Sequence, residues 1–117
     1  MNTKQYQNAA SRTFPNLASQ FHDELHMAMG LVTEAGEVMD IFKRKHAYNR
    51  EIDYVNLKEE LGDVLWYIAN FCNIHGWDME DIMDVNINKL QVRFPEKFTE
   101  FHALNRDLQQ ERKILEQ

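Results

Sequence analysis

Four acidic residues carry the strongest chemical signal in the chain. Glu34-Ala35-Gly36-Glu37-Val38-Met39 is echoed 26 residues later by Glu60-Leu61-Gly62-Asp63-Val64-Leu65, each reading acid, any residue, glycine, acid, valine, apolar residue. Acids at i and i+3 of a helix project from one face about a turn apart. Glu34 is flanked on its own face by Met27, Leu31, Val38 and Ile41, Asp63 has Tyr67 one turn on, and Glu60 has Leu57 and Val64 in the equivalent places. The acids are therefore expected in apolar stripes directed at a helical interior. Carboxylates gathered there cannot all stay ionised without cations. A ligand set of oxygens alone, without His or Cys, suits a hard divalent ion, Mg²⁺ or Mn²⁺ in its place. One such acid pair is usually a solvated helix face; two in the same glycine and apolar context, on consecutive helices, favour metal binding.

Gly36 and Gly62 each sit between acids in mid-helix, where glycine costs ~1 kcal/mol relative to alanine. Close approach of two helix backbones is the expected compensation. Competing chemistries fall away. A di-iron carboxylate bundle needs Glu-x-x-His on two helices, and no glutamate here has a histidine three residues on. Cys72 lies in an apolar stretch and reads as core. His22 and His26 have zinc-compatible spacing but no evident third ligand, so they read as surface or supporting groups. A Gly-x-x-x-x-Gly-Lys phosphate loop is absent.

The elements that must position these acids are helices. With four glycines, two prolines and no alternating strand pattern, the chain reads as all-α. A first helix is expected over Lys4–Arg12, and a second from near Asn16 or Ser19 to about Lys45. In the second, Leu25, Met29, Val32, Gly36 and Met39 recur at three- and four-residue steps as a core-facing stripe. After a connection over 46–52, a third helix runs from about Asp53 to the Gly76 stop. A fourth starts at an Asp78 N-cap and ends before Pro95. The polar segment 99–117 carries a thin apolar line, Leu104, Leu108 and Leu115, expected to rest as a helix on a neighbour. The whole is a four- to five-helix bundle, one domain over 1–117, left incomplete by a single chain and completed by oligomerisation.

Composition sets the boundaries. A chain of 117 residues with 44% hydrophobic and 27% charged residues suits one soluble domain with a modest core. A lone cysteine excludes a disulfide framework and agrees with a reducing cytoplasm. No apolar run reaches the ~20 residues of a membrane helix, and the Met-Asn-Thr-Lys start lacks the hydrophobic stretch of a signal peptide. Nineteen acids against thirteen bases, a net charge of −6, argue against binding a nucleic-acid polymer. Nucleotides are not excluded, because divalent cations reverse the sign of a carboxylate-lined pocket.

At these residues the sequence resembles the MazG-like nucleoside triphosphate pyrophosphohydrolases, an all-α group marked by Glu-x-x-Glu, a spacer, then Glu-x-x-Asp. Here the spacer is 22 residues. The resemblance extends over about residues 25 to 98, including Glu59 through Tyr67 and Asn86-Ile87-Asn88-Lys89-Leu90 leading into Arg93-Phe94-Pro95. It implies hydrolysis of a (deoxy)nucleoside triphosphate to the monophosphate and pyrophosphate, with Glu34, Glu37, Glu60 and Asp63 holding Mg²⁺ and water attacking the α-phosphorus. Glu59, one turn before Asp63, is the candidate to orient or deprotonate that water. Asn86, Lys89 and Arg93 share one face of the fourth helix and are the candidate phosphate contacts. Lys43 and Lys45 are explained more simply by charge compensation at a helix end. Phe21, Trp66, Tyr67 and Asn70 are candidates for recognising the base, though each also reads as core. The resemblance further implies a homodimer or homotetramer. Two other readings stay open: a non-catalytic helical dimerisation or regulatory module, and hydrolysis of another nucleotide pyrophosphate.

Overall fold

The computed structural model describes residues 1–117 and contains six helices: α1 Thr3–Ser11, α2 Gln20–Tyr48, α3 Tyr54–His75, α4 Met79–Arg93, α5 Glu100–Leu104 and α6 Leu108–Leu115. The all-α expectation holds. Local chemistry sets the ends. Ser19 caps α2, its hydroxyl accepting the His22 N–H at 3.2 Å, and Asp53 and Asp78 cap α3 and α4 in the same manner. Asn49 and Gly76 close α2 and α3 in the left-handed region, at φ 50° and 67°, where Gly and Asn carry little penalty. The C-terminal segment forms two short helices, because Thr99 and Asp107 each begin a separate one.

The helices fall into two compact units, Met1–Trp77 and Asp78–Gln117. In the first, α2 and α3 pack as an antiparallel pair, since contacts rise in α3 as they fall in α2: Glu34 with Glu60, Gly30 with Tyr67, and Glu24 with His75 at 3.9 Å. Met27, Ile41, Ala69 and Cys72 are the buried apolar centre. Helix α1 lies on α3 through an amide network. Gln7 donates to the Asn73 side chain at 3.2 Å and the Trp77 carbonyl at 3.0 Å. Asn73 donates back to the Gln7 carbonyl at 3.0 Å and to Asn70 at 3.1 Å, and Asn70 donates to the Ala10 carbonyl at 3.2 Å.

Two expectations need correction. The stripe Leu25, Met29, Val32 and Met39 is not core: Val32 is 71% and Met39 66% exposed. The face of α2 toward α3 carries Met27, Gly30 and Ile41 instead, so α2 has two apolar faces and α3 covers one. Nor do Gly36 and Gly62 permit close helix approach, because a Cβ at either would meet open space. The glycine that does is Gly30, whose Cβ would run into the Tyr67 ring.

In the second unit, α6 packs on α4 through charge rather than through the leucine line. Glu111, 2% exposed, accepts from Arg93 at 2.7 Å and from Arg106 at 3.0 and 3.1 Å. Leu104 and Leu108 remain exposed. The bonds from Arg106, then Arg93, hold the Glu111 carboxyl down at about 2 against the opposing effect of burial.

Gly30→Ala is expected to destabilise the protein by about 1–3 kcal/mol through overpacking on Tyr67. Gly36→Ala should stabilise it by up to ~1 kcal/mol through helix propensity; urea denaturation of the metal-free protein measures both, and equal effects would contradict the packing described. A depressed carboxyl stabilises the fold above its unfolded value and loses that contribution as pH falls toward 2. Glu111→Gln should therefore lower the melting temperature at pH 7 by roughly 5 °C or more and flatten the acid limb between pH ~4.5 and ~2. Unchanged melting by circular dichroism would show that the triad does not seat α6.

Candidate metal centre

Three of the four expected acids converge. One carboxylate oxygen each from Glu34, Glu60 and Asp63 lies within 4.8 Å of the others. The α2–α3 pairing brings them together by setting Glu34 opposite the Glu60–Asp63 turn. Glu37 lies outside this trio and is exposed, though its charge still acts on Glu60. The location differs from the interior expected: Glu34 and Glu60 are half-buried and Asp63 is exposed. One helix pair buries only the facing stripe of each member, so acids at its edge remain open to solvent.

Crowding has an electrostatic consequence. Partial desolvation, a hydrogen bond with Glu34, and the charges of Glu34, Glu37 and Asp63 push the Glu60 carboxyl up to about 7. Glu60 therefore keeps its proton to a higher pH than an ordinary carboxyl does. Like charges held this close favour either a proton or a cation between them. The donor set consists of carboxylate oxygens, with no nitrogen or sulfur ligand, and so fits a hard divalent ion.

A neighbour that spacing does not reveal is Tyr6. Its hydroxyl donates to the Gly62 carbonyl at 3.4 Å, and burial, with the Asp63 charge adding to it, raises its phenol above the ordinary value. The two residues lie 56 positions apart, so no helical periodicity connects them. Only the placement of α1 on α3 does.

The remaining candidates are placed as follows. Glu59 is exposed. On α4, Lys89 is half-buried and donates from Nζ to Asn86 Oδ1 at 2.8 Å, making a preformed polar pair. Arg93 has a partner other than a phosphate, its Nη2 being engaged by Glu111 while its Nε is buried without a hydrogen bond. Lys43 and Lys45 are exposed at the end of α2. Trp66 donates its indole N–H to the Thr13 hydroxyl at 3.0 Å, Tyr67 covers Gly30, Asn70 is buried and Phe21 is exposed. His22 bonds with Ser19 at 2.7 Å, and Cys72 is buried.

With this geometry in hand, comparison with known proteins is decisive at the family level. Residues 22–98 match the MazG nucleotide pyrophosphohydrolase domain. The chain belongs to that family. The Gene 37 protein of Mycobacterium phage L5 is 36% identical over 72 residues, which cover 58% of this chain and 63% of that relative. No solved structure matches the chain significantly. The match takes in all four acids together with Glu59, Asn86, Lys89 and Arg93, and leaves out α1, α5 and α6. No helix is long and apolar enough to cross a membrane.

A carboxyl whose proton is held more tightly in the folded protein than in the unfolded chain stabilises the fold at low pH. That contribution disappears as pH rises through the folded value. The metal-free protein is therefore expected to lose melting temperature between about pH 4.5 and 7, and Mg²⁺ should restore it. Glu60→Gln should flatten this dependence. Thermal scans across pH, with and without Mg²⁺, measure the effect, and an identical profile in the variant would contradict the crowding described.

Proposed function

We propose that this protein hydrolyses a (deoxy)nucleoside triphosphate to the monophosphate and pyrophosphate in a Mg²⁺-dependent reaction, with Mn²⁺ able to substitute. The observation that carries the proposal is the convergence of Glu34, Glu60 and Asp63 within 4.8 Å in a chain of this family. Glu37, one turn from Glu34, completes the ligand set. When bound, Mg²⁺ supplies neutralisation of phosphate charge and acidification of water for attack at the α-phosphorus. Glu59, exposed and one turn before Asp63, is assigned the role of holding and accepting the proton of the attacking water. Asn86 and Lys89 are assigned to phosphate oxygens, since their mutual hydrogen bond already restrains the Lys89 ammonium. Arg93 is assigned instead to seating α6, because Glu111 occupies its guanidinium.

The uncovered apolar face of α2 supports assembly as a homodimer or homotetramer, in which a second copy covers Met29, Val32 and Met39. The same face is the observation that favours the alternative of a non-catalytic helical module, which would need it for partnering. The lone, buried Cys72 accords with a cytoplasmic protein.

Release of pyrophosphate from a panel of nucleoside triphosphates, with and without Mg²⁺, tests the proposal. Glu60→Gln and Asp63→Asn should each reduce turnover by more than about 100-fold while leaving helicity intact, and Lys89→Ala should raise KM or lower kcat. Near-normal rates in either carboxylate variant would contradict the ligand assignment. No turnover by folded wild-type protein would favour the module, and orthophosphate as product would point to a different reaction.

A further inference from the structure

A cavity of about 370 Å³ lies in the first unit, away from the acid trio. Its walls include Phe14, Asn16 and Gln20 from α1's exit and the start of α2, Asp23 from α2, and Asn73 and Ile74 from α3. Its size falls in the range of small-molecule sites, which pair apolar faces with a few placed polar groups. Phe14 and Ile74 supply the apolar faces. Asp23 supplies an acceptor: one carboxylate oxygen takes the Leu17 N–H at 2.9 Å, and the other has no protein partner. The side chains of Asn16 and Gln20 make no hydrogen bond within the chain. Asn73 is held rigid by Gln7 and Asn70.

Its register ties this cavity to the acids. Asp23 precedes Glu34 by eleven residues and Ile74 follows Asp63 by eleven. Eleven residues make three helical turns and return to the same face, about 16 Å along the axis. Because α2 and α3 are antiparallel, both displacements run the same way. The cavity begins at Asn70, about 10 Å along α3 from Asp63, so a nucleotide lying along the helix pair covers both places. Phe14, Asn16 and Gln20 lie outside the segment shared with the family; the cavity exists because this chain's own N-terminal segment is laid across α3.

We infer that this cavity receives the nucleobase, and that Asp23 selects bases carrying an exocyclic amino group over thymine and uracil. The inference rests on the hydrolase reading above. An ionised carboxylate only accepts, so it pairs with the exocyclic amino group of cytosine, adenine or guanine, whereas thymine and uracil offer it only the ring N3–H, flanked on both sides by carbonyl oxygens that repel it. Phe14 provides the stacking surface.

The experiment compares kcat/KM for dCTP, dATP, dGTP and dTTP in wild-type protein and in Asp23→Asn, together with binding of dCMP and dTMP to each by calorimetry. The amide oxygen of Asp23→Asn still accepts the Leu17 N–H, so the fold is retained, and a melting curve verifies this. Wild-type protein is expected to favour the amino-bearing nucleotides over dTTP by at least roughly tenfold. The variant should lose most of that preference in both turnover and binding. Turnover by wild-type protein with the same base preference in the variant would overturn the inference and leave the hydrolase reading standing. Absence of turnover with every nucleotide, from folded protein, would overturn both.

Discussion

Mutual repulsion among Glu34, Glu60 and Asp63 is the constraint around which the first unit is organised. Three carboxylates with oxygens inside 4.8 Å are unfavourable unless a proton or a cation lies between them. They stay together because α2 and α3 are locked in register by apolar packing elsewhere: Met27 and Ile41 from one helix, Ala69 and Cys72 from the other, and the Tyr67 ring lying against Gly30. Packing energy thus offsets an electrostatic cost, which a proton or a cation between the carboxylates would relieve.

Around this pair the chain adds polar devices rather than more core. Helix α1 is held by the Gln7–Asn73–Asn70 amides and the Trp66–Thr13 bond, and α6 by a carboxylate between two arginines. Buried amides and ion pairs stabilise little in net terms but require specific geometry. That property suits segments that must be placed accurately on a short helical frame. Apolar surface is left over, above all Met29, Val32 and Met39 on the second face of α2.

Much of this was legible along the chain. The helix limits are close to those read from the pattern near Ser19 and Asp53, the Asp78 N-cap and the Gly76 stop, and the echo of the two acid pairs singles out Glu34, Glu37, Glu60 and Asp63, of which all but Glu37 converge. Two of the packing inferences that the structure corrects fail for a common reason. Leu25, Met29, Val32 and Met39 form as good a helical stripe as Met27, Gly30 and Ile41, and periodicity cannot say which of two apolar faces the neighbouring helix takes. Likewise Gly36 and Gly62 looked like contact glycines by their position between acids, yet the close contact is at Gly30.

Helix content, helix ends and the spacing of the acids were determined by the sequence alone, because capping and i to i+4 interactions act within a few residues. The tertiary structure decided which face of α2 is covered, that Arg93 meets Glu111, that Tyr6 reaches Gly62, and that a cavity opens beside Asp23. Those outcomes depend on how two helices cross, which is settled by the summed packing of whole faces. No local pattern encodes that sum.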